Sequence, residues 1–345
     1  MLKNLTLVNG YDIFIKRSFK CRVVAKKLSI LYTLQVLKEY SDENHLLSQN
    51  DIATKINNIY GMAYERKSIA TNIDSLIDYG YEIIKTNAGS YLATREFEPS
   101  EIRFLVDAVF SSKSINSKHS RELSKKLSEF LSIYERRQYK YVYKADELNR
   151  TDSKEIFYNI DIINEAIENN KQIEFNYVRG SYKGNDLKKH PYKVNPYCLI
   201  NNQGKYFLVC NYDFFDEIAN YRLERIHNIK ILDTPIKPVT QVKGFENGLD
   251  IAKYANENIY MFATKTIMAT VKIYNDWSTA YVEEWFGKNA RLYEKENSIY
   301  ADITANETSL IYWCLQYGED IELLSPKGTR DKIKEMVKQI NKRYK

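Results

Sequence analysis

The first residues whose types and spacing could do chemistry lie between Glu65 and Gly80. Ile69, Ile73, Leu76 and Ile77 recur at i, i+4, i+7 and i+8, which is one face of a helix. Turning that helix by about 100° per residue sends Lys67, Ser68, Thr71 and Ser75 outward, with Asn72 and Asp74 at the flanks and Arg66 at the N-terminal end. Arg and Lys bond guanine edges and phosphates, Asn bonds adenine, and hydroxyls bond either. The same pattern also describes the solvated face of any amphipathic helix, so its surroundings must decide between the two. Two strand-like runs follow, 81–86 and 90–94, joined by Asn87-Ala88-Gly89, which is hairpin chemistry.

The elements before it are helical as well. Residues 22–40 carry Val24, Leu28, Leu31 and Leu34 at helical spacing. Ser48 stands three residues before Asp51, a capping-box start for a short helix carrying Ile52 and Ile56. Three helices and a hairpin outline a winged helix-turn-helix, in which the third helix enters the major groove and the hairpin touches the backbone or minor groove. On that outline Arg66, Lys67, Ser68, Thr71 and Asn72 would meet DNA from the helix, and Lys85 and Asn87 from the hairpin. Residues 1–37 hold Lys3, Lys16, Arg17, Lys20, Arg22, Lys26 and Lys27 against the single acid Asp12, while the whole chain has a formal charge of +6. Of these, Lys16, Arg17, Lys20, Arg22, Lys26 and Lys27 would supply phosphate contacts if that arm lies near DNA. A solvated helix face is the simpler account of such a charge run.

Beyond Glu98 a helix with Pro99 at its start carries Ile102, Leu105, Val106, Val109 and Phe110. A second carries Leu123, Leu127, Phe130 and Leu131. Residues 135–151 are polar and read as a linker. A helix with Ile156, Ile160, Ile163 and Ile167 then leads into about five short strands, which suggests a small closed barrel. From residue 269 onward the order strand, helix, two strands, helix, strand is the split βαβ pattern, followed by a terminal helix.

Familiar catalytic constellations are absent from the sequence. No phosphate loop, dinucleotide fingerprint, zinc-protease helix or nucleophile elbow occurs, and the four histidines are scattered. The four cysteines stand far apart, so neither a disulfide framework nor a zinc site is expected. No run is apolar enough for a signal peptide or a membrane span. A cytoplasmic protein without catalytic residues, metal or cofactor is therefore expected.

The motifs that narrow the reading are His190-Pro191-Tyr192-Lys193-Val194-Asn195-Pro196-Tyr197-Cys198-Leu199, Gly204-Lys205-Tyr206-Phe207-Leu208-Val209 and Tyr221-Arg222-Leu223-Glu224-Arg225-Ile226. In this order and spacing the chain resembles the WYL-domain family of bacterial transcriptional regulators. Tyr206-Phe207-Leu208 stands where the family has Trp-Tyr-Leu, so the pocket loses an indole N–H and a phenol O–H while keeping two rings. The resemblance implies an α+β multidomain chain. It would have a winged helix-turn-helix over 1–97, a helical connector over 98–153, an SH3- or Sm-like WYL barrel over 154–235 and a ferredoxin-like WCX extension over 236–345. It also implies a homodimer on a double-stranded operator, with a nucleic-acid or nucleotide-like anion bound by the barrel. The family's arginines match Arg222 and Arg225, and its Pro-Tyr tyrosine matches Tyr197. Tyr177, His190 and Tyr206 lie close to these motifs. Arg offers a planar fork for phosphate, and Tyr a stacking face. Tyr197 and Tyr206 as core rings, and Arg225 as a salt-bridge partner of Glu224, are the competing structural roles. An accessory protein acting on another nucleic-acid enzyme, or a metal-dependent nuclease, are the competing functions.

Overall fold

The computed structural model describes residues 22–137, 155–181, 184–187 and 191–345; the side chains of 22–26, 179–181 and 184–187 fall outside the description. It is a mixed helix and sheet structure. Its residues fall into two compact units, one drawn from Met1–Ser111 and Ser117–Leu148, the other from Ser112–Asn116 and Asn149–Lys345. Among the described residues no helix is long and apolar enough to cross a membrane.

Unit one opens with α1 (Arg22–Tyr40), α2 (Gln49–Tyr60) and α3 (Arg66–Tyr79), then β1 (Ile83–Lys85) and β2 (Ser90–Leu92). The Ser48 hydroxyl accepts from the Asp51 N–H while the Asp51 carboxylate accepts from the Ser48 N–H, so the capping box read from sequence starts α2. Gly61 and Gly80 end α2 and α3 in the left-handed conformation, at φ 67° and 117°, where a Cβ would be strained. The helices bury Val36, Leu37, Ile52, Ile56, Ile69, Ile73 and Leu76 against Leu47, Ile83 and Leu92 of the hairpin side. Ile77, expected on this inner stripe, is instead exposed; at about 100° per residue it lies on the flank of the face formed by Ile69, Ile73 and Leu76.

The hairpin is pinned from outside. Leu47 exchanges two backbone hydrogen bonds with Ser90, at 3.0 and 2.8 Å, which adds a third extended segment. A Cβ on Gly89 would stand 2.7 Å from the Leu47 carbonyl carbon, so only glycine allows that approach. Arg95 donates to the carbonyls of Lys38 and Ser41 at 2.7 and 2.6 Å, tying the chain after β2 to the end of α1.

The same unit continues with α4 (Pro99–Ser111), α5 (Ser117–Ser128) and the short α6 (Ile133–Arg136). On α4, Ile102, Val106 and Phe110 are buried, as the periodicity predicts. On α5 the buried positions are Ser120, Ser124 and Ser128, not the leucine stripe, and the helix ends before Phe130 and Leu131. The Ser128 hydroxyl donates to the Ser124 carbonyl at 2.8 Å, while the Ser120 and Ser124 hydroxyls are buried without a hydrogen-bond partner among the described residues.

Unit two begins its sheet with α7 (Ile156–Glu168), β3 (Lys171–Ser181), β4 (Gly184–Leu187), β5 (Tyr192–Asn202), β6 (Lys205–Asn211), β7 (Ile218–Arg222) and β8 (Ile226–Pro235). Neighbouring strands run β4-β3-β5-β6-β7, with β8 on the other side of β3, and every pairing is antiparallel. A single 3₁₀ turn, Leu223–Arg225, joins β7 to β8. Pro196 does not end β5, because a register shift between Pro196 and Cys198 absorbs the missing N–H. Helix α7 packs Ile156, Ile163 and Ala166 into the core with Ile173, Phe175, Leu208, Leu223 and Ile226. A second apolar cluster joins Cys198, Ile200, Val209 and Ile218 to Tyr254 of α8 (Ile251–Glu257), a helix that the sequence reading lacks.

The remainder is β9 (Thr266–Ile273), α9 (Thr279–Phe286), β10 (Ala290–Lys295), β11 (Ser298–Asn306), α10 (Glu307–Gln316), β12 (Ile321–Ser325) and α11 (Lys327–Arg343). The strands lie in the order β10-β11-β9-β12, all antiparallel. Trp313 on α10 and Phe286 on α9 meet edge to face over Ala269, Val271, Ala301 and Ile303.

Candidate functional site

Two groups of polar residues stand out, one in each unit. On α3, Arg66, Lys67 and Thr71 are exposed and Ser68 is half-buried. Arg66 Nε donates to Gln49 Oε1 at 2.7 Å, which anchors its guanidinium over the start of α2. The Thr71 hydroxyl donates to the Lys67 carbonyl at 3.1 Å. Asn72 corrects the sequence reading. It is only 9% exposed and turns toward α1, donating to Thr33 Oγ1 at 3.0 Å and accepting from Ser29 Oγ at 3.4 Å. Its flank position put it within reach of either side, and two hydroxyls on α1 drew it inward.

The hairpin residues divide in the same way. Lys85 pairs with Asp74 of α3, while Asn87 is exposed in the turn. Lys27 is exposed on α1. Lys16, Arg17 and Lys20 lie outside the described residues, as do the side chains of Arg22 and Lys26.

In unit two the described ligand candidates differ in their surroundings. Tyr177 is buried, its ring edge-on to Tyr192 and Tyr221 and its hydroxyl accepting the Arg222 N–H at 3.3 Å. Tyr197 is half-buried and donates to the Lys237 carbonyl at 2.8 Å; burial raises its phenol well above the ordinary range. Both hydroxyls are thus engaged within the domain. Burial, and then the hydrogen bond with Tyr212, likewise raises Tyr221. Tyr206 is half-buried, and its N–H donates to Ser114 Oγ at 3.1 Å. His190 lies outside the described residues.

The arginines differ in their surroundings. Arg222, not Arg225, binds Glu224, with Nε 2.6 Å from Oε1 and a second contact through Nη2. The Glu224 side chain is 4% exposed, so this acid points inward. Arg225 is half-buried and has no acidic partner among the described residues. Two lysines missed from sequence stand near it. Burial, followed by repulsion from Arg222 and Lys113, lowers the Lys205 ammonium below its ordinary range; attraction by Glu224 opposes this and repulsion from Arg225 adds the least. Lys205 sat inside a quoted motif. Lys113 sat in a connector, where no sequence signal marked it.

A polar hub sits at the opposite end of β5 and β6 from this group, where Asn195 pairs with Asn211. Gln172 Nε2 donates to Asn195 Oδ1 at 2.8 Å and to both Asp213 oxygens, and Asn195 Nδ2 donates to Asp213 Oδ1 at 2.9 Å. Burial alone would raise the Asp213 carboxyl, but these hydrogen bonds outweigh it and hold it below the usual range. The hub fastens β3, β5 and the end of β6.

The WYL domain family model matches residues 158–231, from the first turn of α7 into β8. The chain carries a WYL domain. The match covers the strands that bear Tyr177, Tyr197, Tyr206, Arg222 and Arg225. No curated protein is significantly similar in sequence. Among solved structures, the chain is similar to proteasome accessory factor B/C of Arthrobacter aurescens, at 13% identity and a TM-score of 0.29. That alignment covers 88% of this chain and 47% of the other, so the chain spans about half the length of that protein. It is also similar to a CRISPR Cas-related protein, at 15% identity and a TM-score of 0.38, covering 96% of this chain and 89% of the other.

Proposed function

We propose that this is a ligand-responsive, sequence-specific DNA-binding transcriptional regulator that acts by binding rather than catalysis, as a cytoplasmic homodimer. The observation that carries the reading is the outer face of α3. There Arg66, Lys67, Ser68 and Thr71 stand together on a helix that follows a tight α2–α3 turn and precedes a pinned hairpin. That order supports a winged helix-turn-helix with α3 in the major groove and Asn87 near the backbone. The meander β3-β5-β6-β7, returning through a 3₁₀ turn to β8 on β3, supports a small SH3-like barrel for the WYL domain. The strand order β10-β11-β9-β12 supports a ferredoxin-like C-terminal extension. The WYL domain binds a nucleic-acid or nucleotide-like anion, and that binding shifts the DNA affinity.

The test is fluorescence anisotropy on duplex DNA from upstream of the protein's own coding sequence, with a scrambled duplex as control, across a salt series. Specific binding with a steep salt slope is expected. Lys67→Glu should cost about 1–3 kcal/mol of specific binding, roughly ten- to hundredfold. Lys338→Glu, on the exposed face of α11, should cost far less. Equal effects would remove α3 from the interface. Single-strand binding without duplex preference would favour an accessory role beside another nucleic-acid enzyme.

A further inference from the structure

The segment Ser112–Asn116 packs as part of unit two, although in sequence it joins α4 to α5. It is clamped to one place, the turn between β5 and β6. The Lys113 N–H donates to the Gly204 carbonyl at 3.0 Å. The Ser112 and Ser114 hydroxyls reach the same carbonyl at 3.5 and 3.3 Å. Ser114 Oγ also accepts the Tyr206 N–H at 3.1 Å. Ser114 is fully buried and Ile115 nearly so, so the clamp is dry, while the Lys113 side chain stays exposed.

This clamp brings Lys113 beside Lys205, the residue after Gly204. Phe207, two residues further along β6, pairs with Arg222 across the sheet, which places the Leu223–Arg225 turn on the same side of the molecule. The acid within the group, Glu224, is already bound by Arg222 and turned inward. Among the described residues Lys113, Lys205 and Arg225 make no ion pair with an acid, and Glu224 attracts Lys205 less than Arg222 and Lys113 repel it. Like charges gathered from three chain segments repel each other, and a bound anion relieves that repulsion.

We propose that Lys113, Lys205 and Arg225 form one anion site at the β5–β6 turn. It takes a phosphate-bearing ligand, and Lys113 makes it the point where ligand binding is felt by the α4–α5 connection. The proposal rests on the reading of the WYL domain as an anion sensor and adds its regulation. Phosphate bridging Lys113 to Lys205 and Arg225 tightens 112–116 on the Gly204 carbonyl. Because that segment continues directly into α4 and α5, the tightening is passed along the chain rather than across a surface.

The test uses the full chain and two probes, a short single-stranded oligothymidylate and inorganic pyrophosphate, in calorimetric titrations. Hydrogen exchange of residues 112–116 is followed in parallel. Either probe should bind, slow exchange across 112–116, and lose about tenfold affinity in each of K113Q, K205Q and R225Q, as expected for a charge-assisted contact. Binding by the oligonucleotide alone assigns the site to a strand backbone; binding by both assigns it to a compact phosphate. Unchanged affinity in K113Q and K205Q, with the wild type binding, overturns this inference and leaves the WYL anion reading in place. Failure of the wild type to bind either probe overturns both.

Discussion

Along α3 the basic and polar groups follow one another on a single helix, and most are settled locally. Arg66 leans on Gln49, Thr71 on a carbonyl one turn back, and Lys85 of the adjoining hairpin on Asp74. At the β5–β6 turn, Lys113, Lys205 and Arg225 come from three distant parts of the chain and make no ion pair with an acid among the described residues. The first surface is a row of separable contacts, whose losses should roughly add. The second is held together against its own repulsion by a fold stable enough to impose it, and its losses should couple.

The sharpest way to break this contrast is Lys205→Glu. It supplies the missing counter-ion from within, so the ligand-free protein should melt higher, by about 1 kcal/mol of added stability, while phosphate affinity falls at least a hundredfold. Lys67→Glu should leave the melting temperature nearly unchanged. If Lys205→Glu fails to stabilise, the cations are not mutually strained and the contrast collapses. Asn72→Ala comes next. Losing the amide between α3 and α1 should cost about 1–3 kcal/mol of stability, read by chemical denaturation, with DNA affinity per folded molecule unchanged. Altered sequence preference at intact stability would return Asn72 to the DNA face. The smallest effect is in pH. Lys205 starts below the ordinary lysine range, and an anion favours its charged form. Phosphate binding should therefore take up protons and weaken as pH rises, beginning below the pH at which an ordinary lysine deprotonates. K205Q should flatten that profile, and an unchanged profile in K205Q would place the titrating group elsewhere.

Helical periodicity made α1 to α4 and α7 legible, because one buried face at a spacing of three or four needs no knowledge of its partner. The capping box at Ser48 and the glycine stops at 61 and 80 were equally local. The WYL motifs marked which runs form the strands of the sheet. What stayed hidden depended on partners far along the chain. The inward turn of Asn72 needed Ser29 and Thr33 from another helix. The serine face of α5 has no apolar signal. Helix α8 is short and buries chiefly Tyr254. The choice between Arg222 and Arg225 as the partner of Glu224 depends on the single 3₁₀ turn between β7 and β8, which the sequence does not announce. Lys113 became visible only when the fold laid its segment on Gly204.

The polar hub at the far end of β5 and β6 also decides where this domain can be cut. Asn195 Oδ1 accepts the Lys237 N–H at 3.0 Å, and the Tyr197 hydroxyl donates to the Lys237 carbonyl. Both partners lie past residue 231, where the family match stops. A fragment ended there would take one of two donors from the Asn195 amide oxygen and leave the half-buried Tyr197 phenol without its acceptor, the latter costing about 1–3 kcal/mol when unmet. The smallest self-sufficient piece of this sheet is longer than its motif, and an excised sensor should carry the chain through at least Lys237.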